Sequence, residues 1–275
     1  GTEAPARAPR LGFFDQVGLA TRDVGAQLRE LFDFLGEASG ATWAALRRPA
    51  SVAWGQVSRQ MERHGADGLP IVATIALLIG LITAFQAALQ LSKFGADTLV
   101  ANLVGLSLTR ELAPLMTAIV VAGRSGAAIA AEVGTMKVSE EVDALYTLGI
   151  CPHRFLVFPR FLALVVVLPL LTLVADVIGV LGGAAVAVST LEVGVRGYLL
   201  STQGALDLGD VGGGLVKAAV FGAIIALVAC ERGMAARGGA EGVGRATTTA
   251  VVSTLFYLVV ADAGFAVLFD LWQFY

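Results

Sequence analysis

Charged residues are scarce in this sequence. Asp, Glu, Lys and Arg make up 15% of its 275 residues, against about 25% in a typical soluble domain. Hydrophobic residues make up 56%, and the mean hydropathy is +0.78. This composition points to a lipid environment. The net charge of −3 and the pI of about 5.4 give no support for a nucleic-acid partner.

Residues that build metal sites, disulfides and catalytic centres are also few. Cys151 and Cys230 fall in segments that we assign below to the cytoplasm, so we expect no disulfide. His64 and His153 lie in separate loops without metal-ligand spacing, so we expect no metal site. No lysine follows a glycine, which excludes a G-x-x-x-x-G-K-[ST] phosphate loop, and no catalytic triad can be assembled. We therefore expect no cofactor in this chain.

Long apolar runs take the place of these features. A membrane-spanning helix needs roughly 20 mainly apolar residues. Because apolar residues do not alternate with period two, helices are favoured over a barrel. The sequence therefore predicts an all-α integral membrane protein with five transmembrane helices. These are predicted at 69–92, 98–123, 161–190, 214–230 (beginning near Leu208) and 247–272.

The distribution of Lys and Arg predicts the orientation. They number eight in residues 1–69, four in 123–160 and three in 231–246, whereas the opposite side has only Lys93 and Arg196. Positive residues concentrate on the cytoplasmic side of membrane proteins. We therefore expect a cytoplasmic N-terminus and a C-terminus on the outer side.

Residues 1–68 follow a different pattern. Leu28, Leu31, Phe32 and Leu35 recur at helical spacing among charged residues, and so do Trp54, Val57 and Met61. Both stretches predict amphipathic helices lying in the membrane interface, with a small soluble helical hairpin as the alternative. The domain division is then 1–68 for this unit and 69–275 for the transmembrane unit.

Two charges and a proline interrupt the second span, in "LSLTRELAPLMTAIV". A charge at bilayer depth costs several kcal/mol, so it must face a partner, a polar cavity or a protein interface. Arg110 and Glu111 are adjacent and point about 100° apart, so they cannot simply neutralise each other. Pro114 removes the hydrogen bond to the Arg110 carbonyl, which is tolerated where the backbone faces a wet cavity.

Three further charges in the other spans could supply partners. Lys217 lies in the fourth span, Asp262 in the fifth and Asp176 in the third. A Lys217–Glu111 or Arg110–Asp262 pair would relieve the desolvation cost, although the long Lys217 stem could also extend to the interface. Two interpretations stay open: the charges only fix helix register, or they line a polar cavity that handles a charged headgroup.

A patterned segment, 124–160, separates the second and third spans. Ser139 is a candidate N-cap, followed by Glu140 and Glu141, where the helix dipole favours anions. Leu145 and Leu148 continue an apolar edge that begins at Val142, and Gly149 is a candidate C′ residue. Such a short helix suits docking into a groove of another protein, the alternative being a surface helix folded back on its own spans.

The stretch "LTRELAPLMTAIVVAGRSGAAIAAEVGTMKVSEEVDALYTLGICPHRFLVFPRFLA" resembles the MlaE (YrbE) permease family, the membrane subunits of ABC-type lipid transporters associated with MCE proteins. The likeness runs from about Leu69 to the C-terminus and includes "PLLTLVADVIGVLGG", "LVKAAVFGAIIALVACERG" and "GVGRATTTAVV". Cys151 and Tyr146 depart from the residues usual in the family. Either departure could alter the fit to an ATPase.

The resemblance implies a permease in the inner membrane of a double-membraned bacterium, with a role in outer-membrane lipid asymmetry. It implies a homodimer with a lipid cavity between the two copies. The other implied partners are a cytoplasmic ATPase dimer that binds ATP and Mg, an MCE-domain protein on the outer face, and a possible small STAS-type regulator. Phospholipid or a related lipid would be the cargo. The resemblance supports Glu111, Lys217 and Asp262 as polar residues of the membrane domain, and the buried-charge argument adds Arg110 and Asp176 to the predicted lipid-path residues. The implied ATPase-coupling residues are Glu140, Glu141, Asp143, Ala144, Leu145, Leu148 and Gly149.

Two other functions fit the buried charges. An ion-coupled secondary transporter would use Glu111, Asp176 and Asp262 as proton sites, and it predicts transport without nucleotide. No inverted repeat is obvious across the five spans, which counts against it. A membrane-embedded lipid-modifying enzyme would need a carboxylate pair near the interface, and it predicts a chemically altered lipid.

Overall fold

A computed structural model describes most of the chain, and it is helical without strands throughout the residues that it describes. These are 53–96, 99–190 and 194–271, together with 34, 36–37, 39–40, 42–43 and 47. The helices in these ranges are α1 Trp54–Gly65, α2 Leu69–Leu91, α3 Leu99–Val138, α4 Glu141–Thr147, α5 His153–Thr190, α6 Val195–Ala205, α7 Leu208–Met234 and α8 Gly239–Leu271.

Five helical runs are long and apolar enough to cross a membrane: Trp54–Phe94, which contains α1 and α2, and then α3, α5, α7 and α8. This confirms the predicted all-helical membrane fold with five spans. Pro169 lies inside α5, and the helix continues through it.

The second and fifth spans are longer than the sequence suggested. We expected the second to end at 123, but α3 continues to Val138, and α8 begins at Gly239 instead of 247. Ile129, Ala130 and Val133 of α3 are buried, and this end of α3 packs against α7 and α8. The end of the second span was therefore predicted too early, because 124–138 is a helical continuation of α3.

The structure tests only part of the prediction for the two N-terminal helices. Leu28, Leu31, Phe32 and Leu35 lie outside the described residues. α1 is a helix as predicted, with Val57 buried, and it packs against α5. Its Arg63 binds Glu132 of α3 at 2.9 Å, and Arg160 of α5 binds the same carboxylate at 2.7 Å. This Glu132 network, defined by Arg63, Glu132 and Arg160, joins three helices at one end of the bundle.

Close backbone contacts hold the spans together. A Cβ atom on Gly80 of α2 would collide with the backbone of Gly179 in α5, so only glycine fits at this crossing. A Cβ atom on Gly214 of α7 would likewise collide with the carbonyl of Thr109 in α3. Small residues allow such approach where helices associate within a membrane. The Gly214 contact brings the beginning of α7 against the charged part of α3.

Candidate functional site: a buried charge cluster beside an open groove

The charged part of α3 has irregular helix geometry. Residues Leu108–Leu112 form a π-helical turn immediately before Pro114. The Ala113 amide donates to the Leu108 carbonyl, one residue further back than in an α-helix. Single π-turns within α-helices occur frequently at functional sites. Here the turn contains both Arg110 and Glu111.

Lys217 is the centre of the charge cluster. Its side chain is fully buried, and Nζ donates to Glu111 Oε2 at 2.6 Å and to the Arg110 carbonyl at 3.2 Å. Pro114 has no N–H to donate to that carbonyl, so the lysine satisfies the acceptor that proline leaves free. Nζ also lies 3.5 Å from Asp262 Oδ1. The predicted Lys217–Glu111 pair is present, whereas the expectation that Lys217 could extend to the interface is wrong.

Arg110 has a partner that the sequence did not reveal. Its Nε donates to Asp210 Oδ1 at 2.7 Å, and the Asp210 side chain is almost fully buried. The predicted Arg110–Asp262 pair is therefore wrong, because Asp262 faces Lys217 instead. We define the charge cluster as Arg110, Glu111, Asp210, Lys217 and Asp262. In it, three carboxylates surround two cations.

Asp210 is positioned by the beginning of α7. Asp207 is the N-cap of this helix, and its side chain is part of a capping box. Asp210 is the N3 residue, and its Oδ2 accepts from the Asp207 backbone N–H at 2.9 Å. The spacing "DLGD" is a capping-box signature that could have located this helix start from the sequence. One carboxylate thus caps α7 and binds Arg110.

An open groove of about 520 Å³ lies beside the cluster, between α2 and α3. Glu111 is the cluster residue that lines it, and 40% of the Glu111 side chain is exposed. Thr83, Gln86 and Gln90 recur at helical spacing on the α2 wall, and Ser107 lies one turn before Glu111 on α3. Leu91, Phe94, Leu103 and Leu112 provide apolar walls. We call this space the Glu111 groove.

The glutamines of this groove were missed because they lie in a run that was classified only as apolar. Their i, i+4 spacing, with Thr83 one turn earlier, is a readable polar stripe along one face of α2. The stripe faces Ser107 and Glu111 across the groove. The arrangement combines hydrogen-bonding groups with apolar walls, which suits an amphiphilic molecule.

Asp176 lies apart from the cluster. It lines a second groove, of about 410 Å³, formed with residues of α3, α5, α6 and α7. Its Oδ1 is buried and forms no hydrogen bond with the residues that the structure describes. Most of the other lining side chains are apolar, including Leu173, Leu199 and Leu206. Asp176 is therefore not part of the arrangement that holds the other four predicted lipid-path residues.

The predicted docking helix is present as α4, with a different start. Glu140, in a left-handed conformation with φ 61°, is the N-cap, so the assignment of Ser139 as N-cap is wrong. The Ser139 hydroxyl oxygen instead lies 2.9 Å from both the Thr135 carbonyl oxygen and Glu141 Oε1, either of which can accept its proton. At the other end Gly149 is the C′ residue with φ 72°, as predicted, and the Ile150 amide closes the turn on the Leu145 carbonyl.

One side of α4 is anchored to the bundle and the other side is exposed. Val142 is buried, and Asp143 accepts from Lys137 Nζ of α3 at 2.7 Å. Leu148 is 73% exposed and Tyr146 is 56% exposed. Ala144, Glu140, Glu141 and Gly149 are also exposed, and Leu145 is half-buried. The predicted apolar edge is thus divided between an inward Val142 and an outward Leu148.

Comparison with known proteins identifies the family. The sequence profile described as "Permease MlaE" matches residues 57–268. The chain belongs to the MlaE permease family. A "probable ABC transporter permease protein" of Rickettsia typhi is 46% identical over 75% of this chain and 80% of its own length. One from Synechocystis is 41% identical over 74% and 77%.

A plant relative extends the comparison. The chloroplastic protein "TRIGALACTOSYLDIACYLGLYCEROL 1" of Arabidopsis thaliana is 36% identical over 76% of this chain and 60% of its own length. Together with the five apolar helices, these matches identify an ABC transporter permease of the MlaE family that crosses the membrane several times. A permease of an ABC transporter works with an ATPase.

Proposed function

We propose that this MlaE permease moves phospholipid or a related lipid, driven by a separate ATPase subunit that binds ATP and Mg. The observation that carries this proposal is the Glu111 groove, where a partly exposed carboxylate and a stripe of polar side chains lie among apolar walls. Apolar walls accept acyl chains, and amide, hydroxyl and carboxylate groups can bind a headgroup. The name of the Arabidopsis relative contains that of a glycolipid, which supports a lipid cargo.

Glu111 connects the groove to the charge cluster. One Glu111 oxygen accepts from Lys217, and the side chain remains partly exposed to the groove. The fully buried Lys217 also lies 3.5 Å from Asp262. If a ligand group displaces Glu111 from Lys217, the ammonium group therefore still has the Asp262 carboxylate beside it. We infer that Glu111 binds or gates the headgroup, with Lys217, Asp262 and Arg110 as the groups that position it.

The groove favours an assembly of two copies. It is open on one side in the single chain, and a second copy placed against α2 and α3 would enclose it as a cavity shared across the two-fold axis. A lipid in such a cavity would be shielded from bulk bilayer on both sides. The homodimer is therefore part of the proposal.

Coupling to the ATPase would use α4. Its outward side chains Tyr146 and Leu148 offer an exposed aromatic and aliphatic surface for docking, and the Lys137–Asp143 ion pair ties α4 to the end of α3. α3 then runs unbroken to the Glu111 groove, with π-turns at Ala122–Gly126 and Leu108–Leu112. π-turns are sites where helices bend, so a shift of α4 could change the shape of the groove.

The remaining partners follow from orientation. Positive residues concentrate at the end of the bundle that carries α4, which supports a cytoplasmic N-terminus and a periplasmic C-terminus in a bacterial inner membrane. An MCE-domain protein would then exchange lipid on the outer face. A small STAS-type regulator, if present, would bind on the cytoplasmic side.

The direct test is purification of the full chain with the candidate ATPase, followed by mass spectrometry of bound subunits and lipids. We expect both an ATPase and phospholipid to be retained. Leu148→Glu should strongly reduce ATPase retention, whereas Leu208→Glu, which also alters an exposed leucine but at the other end of the bundle, should not. Isolation of a lipid-free monomer without ATPase would contradict the proposal.

Asp176 favours one alternative function. A buried carboxyl oxygen without a hydrogen-bond partner among the described residues suits a proton site in an ion-coupled transporter. That function predicts lipid transport driven by a proton gradient without nucleotide and lost in Asp176→Asn. ATP-dependent transport that survives collapse of the gradient excludes it.

A further inference from the structure

A second ionic site lies at the other end of α7 from the Glu111 groove. Arg232, Arg237 and Arg245 line a pocket of about 260 Å³ where α7 turns into α8. Arg232 is fifteen residues beyond Lys217 on α7, which is about 22 Å of helix. We call this space the arginine pocket. Its other lining residues are alanines and one glycine, together with Thr249, which adds a hydroxyl group.

The α7–α8 turn brings the arginines together. Gly238 and Gly239 adopt left-handed conformations with φ 88° and φ 73°, which reverse the chain direction. Gly242 is buried against the Arg237 carbonyl, where a Cβ atom would collide with it. The backbone of Arg237 therefore packs onto the first turn of α8. The Arg237 side chain lines the same pocket as the side chain of Arg245, which lies about one helical turn after Gly242.

Three arginines and no carboxylate line the pocket among the described residues. Arg232 Nε lies 3.1 Å from Glu231 Oε2, so this cation has a carboxylate beside it. Arg237 and Arg245 form no ion pair within the part of the chain that the structure describes. The acidic residue nearest in sequence, Glu241, is exposed and does not line the pocket. Guanidinium groups are well suited to bidentate binding of phosphate oxygens.

An apolar stripe leads away from the pocket along α8. Arg245, Thr249, Val252, Phe256 and Val259 recur at i, i+4, i+7, i+11 and i+14, which places them on one helix face. Val252, Phe256 and Val259 are each more than half exposed. The stripe from Arg245 to Val259 covers roughly 21 Å of helix, comparable to one leaflet of a bilayer.

We propose that the arginine pocket and this stripe together bind one anionic phospholipid. The phosphate would lie between Arg237 and Arg245, with Thr249 as a further donor, and an acyl chain would follow Val252, Phe256 and Val259. Basic pockets between transmembrane helices on the cytoplasmic side bind anionic headgroups, and this end of the bundle is the Lys- and Arg-rich one. The stripe favours a lipid over free phosphate, because free phosphate has no apolar group that could bind to the stripe. This ligand is distinct from the cargo of the Glu111 groove.

The test measures retention of phosphatidylglycerol by the purified full chain, by native mass spectrometry in detergent, with phosphatidylcholine as the neutral comparison. An arginine near an anionic lipid surface contributes about five-fold in affinity, so Arg237→Gln/Arg245→Gln should bind phosphatidylglycerol about 25-fold more weakly. Arg196→Gln, an exposed arginine at the other end of the bundle, is the matched control and should bind normally. Phosphatidylcholine binding should not change in any of these proteins.

Further arms separate the possible ligands. Phe256→Gln should weaken phosphatidylglycerol binding without altering the unfolding temperature, because Phe256 is exposed. Displacement of phosphatidylglycerol by equimolar inorganic phosphate would assign the pocket to the free anion and overturn the proposal. The proposal would also be overturned if Arg196→Gln weakened phosphatidylglycerol binding as much as the double variant does. It would be overturned as well if the double variant bound lipid normally but no longer retained the ATPase. Because Glu111 is unchanged in these variants, failure here leaves the proposed transport function standing.

Discussion

Two ionic networks among the described residues differ in what surrounds them. In the Glu132 network, one carboxylate binds two arginines and joins α1, α3 and α5. None of these three residues lines the Glu111 groove, the groove at Asp176 or the arginine pocket. In the charge cluster, three carboxylates surround two cations inside the spans, and Glu111 faces an open groove. This difference indicates that the Glu132 network holds helices together, whereas Glu111 of the charge cluster is positioned to contact a ligand.

Lys217→Met should have the largest effect on stability. The substitution removes the cation between Glu111 and Asp262 and leaves the Arg110 carbonyl without its donor. Breaking a buried ion pair from one side costs about 3–5 kcal/mol. The measurement is thermal unfolding of the purified chain in detergent.

A second variant shows whether the cost is electrostatic. Adding Glu111→Gln to Lys217→Met removes one of the stranded carboxylates and should recover part of the lost stability. If the two substitutions are simply additive, the cluster is not a coupled network.

Arg160→Met should have the next largest effect. The Arg160 side chain is buried and donates both to Glu132 and to the Leu156 carbonyl, at 2.7 Å each. Because Glu132 keeps Arg63 and is partly exposed, we expect a loss of about 1–3 kcal/mol in the free energy of unfolding. Transport by the folded fraction should be retained. If Arg160→Met had normal stability but no longer transported lipid, the Glu132 network would have a role in transport and not in holding the helices together.

Glu111→Gln should destabilise the chain only slightly. A glutamine oxygen can still accept from Lys217, and Asp262 remains beside the ammonium group. We expect a change of about 1 kcal/mol, measured by the same unfolding experiment. A loss as large as that of Lys217→Met would indicate that Glu111 serves mainly to hold the helices together.

Arg63→Gln should have the smallest effect. The Arg63 side chain is 55% exposed and its partner Glu132 keeps Arg160, so the ion pair contributes about 0–1 kcal/mol. Unfolding temperature and transport should both stay near the values of the unaltered protein. This variant is therefore the matched control for Glu111→Gln.

The sequence predicted the elements that depend on composition and short-range pattern. Apolar runs predicted the five spans. The need to compensate charges at bilayer depth suggested two ion pairs, of which Lys217–Glu111 is present. The end of α4 was readable because Gly149 supplies a left-handed conformation that other residues adopt less readily. These features are local, or they follow from one strong energetic constraint.

What the sequence did not predict depends on three-dimensional proximity. Asp262 was the predicted partner of Arg110, and Asp210 was not considered. The approach of Gly214 to Thr109 brings Asp210 against Arg110. The extension of α3 to Val138 was missed because the span was ended where the apolar run ends, whereas packing against α7 and α8 continues the helix. The start of α4 differed because Glu140 adopts a positive φ, which local propensity does not anticipate.

The most direct measurement is ATP-driven lipid transfer by the permease reconstituted with its ATPase, comparing Glu111→Gln with Arg63→Gln at matched protein levels. Both variants should fold and retain the ATPase. Lipid transfer should fall at least about ten-fold in Glu111→Gln, a change of about 1.4 kcal/mol, and should stay unchanged in Arg63→Gln. Full transfer by Glu111→Gln would contradict the assignment of the Glu111 groove as the lipid path.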